Sequence, residues 1–235
     1  SQPGRVFVQV DFSQAELRVL TWLAREEYFR GIFNDPKRDL FNELTPVLYG
    51  NVDHLSPAAR KEKRIRVKAY VYGLSYGREA LSIAAEYKLP TREAVEGMQA
   101  FFKVIPQVVA YQKGVEAQIK SGKDLSTPFG RRRRFYLITA QNVGDCVREG
   151  LAFRPQSISS DLCLRAFTWA RPGLKGKAQL RNIVHDSILA ECKEEDAEFV
   201  AKELDRYMLE SAHMLVGDYV RFATDATIGK SWGDV

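Results

Sequence analysis

The chain has 235 residues, 45% hydrophobic and 28% charged, with 35 Lys and Arg against 30 Asp and Glu for a net charge of +5. That is ordinary globular composition, one compact domain or two intimate subdomains with a sizeable core, and it excludes disordered and collagen-like chains. No apolar run reaches the roughly 18 to 20 residues of a membrane span, and SQPGRVFVQVD at the start lacks the features of a signal peptide, so a soluble intracellular protein with no membrane partner is expected.

Alternation in RVFVQVD predicts a strand over Arg5 to Asp11, with Val6, Val8 and Val10 on one face. A helix should follow: Ser13 and Glu16 have the spacing of a capping box, and Leu17, Leu20 and Leu23 form a stripe through Ala24 that Asp35 and Pro36 interrupt. Helices are predicted over Leu40 to Leu48, from Ser56 and Pro57 to about Gly73, and over Arg78 to Tyr87, Thr91 to Phe102 and Gln107 to Ser121. Gly122 to Phe135 reads as a turn between two short extended pieces. Helix resumes near Ala140, is disturbed at Pro155, and runs again from Ser157 to Trp169. Ala178 to Glu191 predicts a hairpin with His185 and Asp186 at its tip, followed by a helix over Glu195 to Leu215 and a last strand over Asp218 to Thr224. Strand, long helical insertion and strands again make an α+β fold.

Charge is concentrated. Arg60 to Lys68 holds six basic side chains and one acidic, and Arg131 to Arg134 adds four more, whereas residues 193 to 205 hold two basic and six acidic. Such basic segments are the footprint of a phosphate-rich partner or a solvated helix face, and charge alone does not choose. Asp11 and Asp186 each stand at a strand end, where a carboxylate needs a cation or hydrogen-bond donors, and as a pair they suit Mg²⁺. Arg60, Arg64, Lys68, Tyr72 and Tyr76 recur every four residues, a slowly winding stripe from cationic to aromatic. It fits a nucleotide, or a helix whose tyrosines enter the core. The cysteines Cys146, Cys163 and Cys192 are odd in number and widely spaced, and read as reduced and structural.

DFSQAELR, Asp11 to Arg18, resembles motif A of the family A DNA polymerases, D-Y-S-Q-I-E-L-R. Arg64, Lys68, Tyr72, Tyr76 and Gly77 match motif B, R-x3-K-x3-F/Y-x3-Y-G, and Val184, His185 and Asp186 match the V-H-D of motif C. Thr127, Gly130, Arg131 and Arg132 are similar to the family's T-x-x-G-R-R segment, and Arg148 and Gln156 fall where it has minor-groove readers. The resemblance covers nearly the whole chain.

It implies an antiparallel-sheet palm, residues 1–30 and 126–235, with an inserted helical fingers subdomain, residues 31–125. It implies template-directed DNA synthesis, in which deoxynucleoside triphosphates are added to a primer 3′-hydroxyl on primer-template DNA. By resemblance Asp11 and Asp186 hold two Mg²⁺ ions, Arg64 and Lys68 clamp the triphosphate, and Lys68 donates a proton to the pyrophosphate. Tyr72, Tyr76, Glu16 and Gln14 belong to the nucleotide site, while Arg18, Arg131, Arg132, Arg148, Gln156 and His185 belong to DNA contacts. Glu16 has two readings, a capping-box member or the group that excludes a ribose 2′-hydroxyl. The implied location is cytoplasmic, in a bacterial or virus-infected host cell.

Three positions depart from the pattern. Ser187 stands where a glutamate commonly follows the motif C aspartate, Phe41 where many members have a phosphate-contacting histidine, and Ala152 where many have an asparagine. With no thumb or exonuclease segment before motif A, the chain is expected to be a fragment or one half of a split polymerase, with a second polypeptide supplying those domains. The alternative is a primer-template-binding subunit inactive without a partner chain. SQPG reads equally as a processing scar.

Overall fold

A computed structural model describes residues 4–235. The question of a scar at the start therefore falls largely on Ser1 to Pro3, outside the described residues. In chain order the elements are β1 (Arg5–Phe12), α1 (Ala15–Ala24), α2 (Glu27–Phe33), α3 (Leu40–Tyr49), α4 (Pro57–Ser75), α5 (Ala80–Tyr87), α6 (Thr91–Val104) and α7 (Pro106–Lys120). There follow β2 (Leu125–Ser126), β3 (Arg132–Arg133), α8 (Val143–Gly173), β4 (Ala178–Val184), β5 (Ser187–Lys193), α9 (Ala197–Val216) and β6 (Thr224–Gly229). This is the expected α+β architecture, an antiparallel sheet with a helical insertion.

The chain forms two compact units, one of residues up to Val19 with Gln156–Val235, the other Leu20–Pro155. These borders differ from the 30 and 125 expected for palm and fingers, because α2 packs on α3 and the β2–β3 hairpin packs on α7. In the sheet unit the strands run in the order β4-β5-β1-β6, every neighbouring pair antiparallel. Alternation makes β1 its centre: Val6, Val8, Val10 and Phe12 are buried, and α9 packs against β1, β5 and β6 with Val200, Leu204 and Met208 inside.

The helical unit packs α3, α4 and α6 together and α6 on both α5 and α7, and Leu44, Val67, Val71, Leu74 and Phe101 are buried. Four elements differ from the sequence reading. The first helix starts at Ala15 with Gln14 left-handed at φ 55 and its carbonyl accepting from Arg18 N–H at 3.1 Å, so Ser13 lies outside the N-cap and the expected capping register with Glu16 is lost. The stripe expected to run to Asp35 breaks at Arg25, φ 56, into α1 and α2.

There the buried Glu26 carboxylate accepts from the Tyr28 N–H at 3.1 Å, the Gln107 N–H at 3.1 Å and the Val108 N–H at 3.2 Å. One side chain thus caps both α2 and α7. Helix α8 runs unbroken through Pro155, since Leu151 before it and Ile158 and Leu162 after it are buried and offset the proline's lost hydrogen bond. The last strand lies at Thr224–Gly229 rather than Asp218 to Thr224; Val220 and Phe222 are buried without joining the ladder, and β1's open edge takes the following residues.

Candidate active site

Strand β1 delivers Asp11 to an open end of the sheet. Its ladder partners are Ser187 on β5 and Asp225 on β6, and opposed residues in an antiparallel ladder present their side chains to one face. Asp186 joins them from the β4–β5 turn, where the Phe12 N–H donates to its carbonyl at 3.2 Å. Its side chain is hydrogen-bonded to that of Asp11. Burial, then the Asp186 charge and that hydrogen bond, then Asp225, push the Asp11 carboxyl up to about 6, with the Phe12 N–H opposing. Burial beside the same two acids, Asp186 and Asp11, pushes the Cys163 thiol of α8 up to about 12, which keeps it protonated beneath the pair.

The turn is strained. His185 is left-handed at φ 56, a conformation costly for a residue with a Cβ, and it is exposed beside Asp186. Ser187, where a glutamate was expected, turns its hydroxyl back to donate to the Val184 carbonyl at 2.9 Å and closes the hairpin. A cleft of about 670 Å³ in the same unit is lined by Glu16, Gln156, Ser159, Ser160, His185 and Asp186, among others. Gln14 sits at the β1–α1 turn with its Oε1 buried and unbonded within the protein.

Arg18, expected among the DNA contacts, lies largely inside the protein. It is 7% exposed, its Nε donates to the Ser13 carbonyl at 2.7 Å and its Nη1 to the Arg221 carbonyl. The guanidinium braces the junction after β1 from inside, because two backbone carbonyls satisfy it there.

In the helical unit α4 starts at the Ser56 cap with Pro57 in its first turn and carries the cationic and aromatic stripe. Arg64 donates to the Asp39 carboxylate at 2.9 Å and lies over the Phe41 ring at 5.3 Å, while the Phe41 and Tyr72 rings are 6.4 Å apart. The Phe41 departure is thus absorbed as packing for both. Although burial pushes it up, Asp39 is held below the usual carboxylate range by Arg64 and by the Asn42 N–H, whose bond caps α3. Lys68 is exposed.

Tyr76 ends the helix and Gly77 follows at φ 79, where an added Cβ would stand 2.8 Å from a Leu151 methyl carbon. Only glycine meets both demands. Arg131 and Arg132 are exposed at the β2–β3 hairpin, where the Thr127 N–H donates to the Arg131 carbonyl at 3.0 Å and the Arg131 N–H to the Thr127 hydroxyl at 3.3 Å, and Arg148 on α8 pairs with Asp145. The expected residues therefore form two groups. Asp11, Asp186, Glu16, Gln14, Gln156 and His185 lie in the sheet unit, and Arg64, Lys68, Tyr72, Tyr76, Arg131, Arg132 and Arg148 in the helical unit.

Sequence reasoning missed Asp225 and Asp39. Misplacing the last strand hid the first, and the second carried no signal beyond its position ahead of a helix.

Paired carboxylates are hard oxygen donors, and two of them sharing a hydrogen bond need a proton or a cation. No group of three or more His, Cys, Asp or Glu side chains suited to a metal occurs among the described residues.

The chain belongs to DNA polymerase family A, whose model matches residues 1–234. It is similar to DNA polymerase I of Helicobacter pylori strain J99, 27% identical over 230 residues, 96% of this chain and 24% of that protein. The thermostable DNA polymerase I of Thermus filiformis is 30% identical over 242 aligned positions, covering 99% of this chain and 27% of the relative.

Among solved structures, the POL domain of Pol1 from M. smegmatis, in complex with DNA primer-template and dNTP, matches with a TM-score of 0.85 and 26% identity over 98% of this chain and 40% of the other. The chain spans about a quarter of the length of the curated relatives, 24% and 27% in these two cases. No described helix is long and apolar enough to cross a membrane.

Proposed function

We propose that the chain is the palm and fingers core of a DNA-directed DNA polymerase, which adds deoxynucleotides to a primer 3′-hydroxyl on a template. The palm is the part carrying Asp11 and Asp186, and the fingers the part carrying α4. Family membership supports the reaction class, and the observation that carries the assignment to these residues is that the end of β1 and the β4–β5 turn bring the Asp11 and Asp186 carboxyls together at the open end of the sheet.

Asp11 and Asp186 would hold two Mg²⁺ ions, which when bound supply charge neutralisation at the attacking and leaving oxygens. The rest is positioning and electrostatics by this chain's residues. Arg64 and Lys68 bind the triphosphate, and Arg64 must exchange its Asp39 partner for phosphate oxygens. Lys68, exposed on the helix, is the proton donor to the leaving pyrophosphate. Tyr72 and Tyr76 pack the sugar and base. Glu16 closes the space a ribose 2′-hydroxyl needs, its capping role having lapsed with the register of α1. His185, on the same cleft as Asp186, meets the primer end, Arg148 and Gln156 read the minor groove, and Arg131 and Arg132 meet DNA phosphates.

The test is Mg²⁺-dependent extension of a labelled primer-template. Asp11→Asn and Asp186→Asn should each lower extension by several orders of magnitude while melting cooperatively like the parent; near-normal extension by either variant overturns the assignment. Assays with the chain alone, and with a polypeptide carrying thumb and exonuclease segments added, separate an autonomous core from a primer-template-binding subunit that works only with a partner.

A further inference from the structure

The loop after the β2–β3 hairpin is built unlike an ordinary surface turn. Phe135 and Ile138 turn inward onto a cluster of Val115, Ile119, Leu125 and Leu151. Between them Tyr136 and Leu137 project into solvent, 88% and 73% exposed. The loop is pinned at its far end by Asn142, whose Oδ1 accepts from the Thr139 N–H at 2.8 Å and whose Nδ2 donates to the Leu137 carbonyl at 2.8 Å. Arg133 is held by Glu149 and lies over the Phe135 ring at 5.5 Å, and Arg134 bonds Asp124 at 2.9 Å. Two adjacent apolar side chains are therefore presented on a fixed backbone, beside four consecutive exposed arginines.

Single exposed hydrophobics need no explanation, but a rigid aromatic and aliphatic pair flanked by cations has a specific chemistry. Every base has a π face that stacks on an aromatic ring without regard to sequence, and its backbone carries the phosphates that arginines neutralise. We infer that residues 131 to 137 form a platform for an unpaired nucleic-acid strand, with Arg131 and Arg132 on successive phosphates, a base stacked on Tyr136 and Leu137 against its edge. Paired bases in a duplex keep their faces covered, so the platform favours single strands. The charge on the patch favours nucleic acid over an apolar protein partner. The inference rests on the reading of the chain as a DNA-handling enzyme and adds to it a contact with a strand that is not base-paired.

The experiment is fluorescence anisotropy with a labelled oligo-dT and with a blunt duplex of equal length, at low salt and without Mg²⁺ or nucleotide. Tyr136→Ala should weaken oligo-dT binding roughly 5- to 150-fold, the effect of removing one base stack. Tyr136→Phe and Tyr136→Trp should retain binding within about threefold, since the ring and not the hydroxyl makes the stack. Duplex binding should change far less. Because the side chain is in solvent, all three variants should melt like the parent. If the parent binds oligo-dT and Tyr136→Ala binds equally well, the inference fails alone and the patch belongs to a protein contact; equal losses on single strand and duplex also overturn it. If the parent binds neither nucleic acid, the functional reading falls with it.

Discussion

Asp11 concentrates the electrostatic tension of the molecule. Its carboxyl is raised from an ordinary 3.8 to about 6 by burial and by the Asp186 and Asp225 charges, so the folded state holds this proton more tightly than the unfolded chain does. Between those two values the folded state binds more protons, and stability must fall as pH rises from about 4 through about 6, then level off. Thermal melts of the metal-free protein from pH 4 to 8 should show this decline, and Asp11→Asn should flatten it and melt at or above the parent at pH 7. His185 is the second site of tension. Its left-handed φ of 56 costs about 1 kcal/mol that glycine does not incur. His185→Gly should therefore raise stability by up to about 1 kcal/mol in denaturant titrations while lowering primer extension, since the imidazole beside Asp186 is lost.

Single side chains also decide how whole elements end. Glu26 caps α2 and α7 together, and its three N–H partners are drawn from segments far apart in the chain. Truncation leaves donors at two helix starts with no acceptor in a buried place. Glu26→Ala should cost roughly 2 to 4 kcal/mol, seen as a lower denaturation midpoint with an unchanged m value, whereas Glu26→Gln should recover much of the loss. Gly77 ends α4 under a double constraint, a left-handed φ of 79 and a Leu151 methyl in the space a Cβ would take. Asp39 similarly joins two elements, capping α3 and pairing with Arg64 of α4. The charged stripe of α4 is thus anchored at Arg64 and open at Lys68.

Over the whole molecule the modest net charge of +5 conceals a division. Both basic segments lie in the helical unit, Arg60 to Lys68 and Arg131 to Arg134, while the acid pair and the acidic stretch from 193 to 205 lie in the sheet unit. Attraction for a polyanion therefore comes from one unit and attraction for cations from the other. If about four of these side chains each neutralise one phosphate, primer-template affinity should fall on the order of 10²-fold between 50 and 200 mM salt. A Kd series against salt checks this; a salt-insensitive affinity would show that the basic segments do not carry the contact.

The sequence by itself determined the α+β class, the strand at Arg5, the hairpin with His185 and Asp186 at its tip, and α4 with its four-residue stripe. These rest on local signals, alternation, turn chemistry and helical period, strong enough to survive packing. Tertiary structure decided where local signals were weak or opposed. Ser13 and Glu16 had capping spacing, yet the chain spends the preceding turn on a left-handed Gln14, and Arg18 satisfies the carbonyls left at that junction. Pro155 reads as a break, but burial on both sides of it carries α8 through.

The last strand has little apolar alternation of its own and is fixed by the open edge of β1, so only the ladder could reveal Asp225 opposite Asp11. The exposed Tyr136 is of the same kind. Which of Phe135, Tyr136, Leu137 and Ile138 faces inward depends on a core assembled from α7, β2 and α8, and no local period encodes that choice.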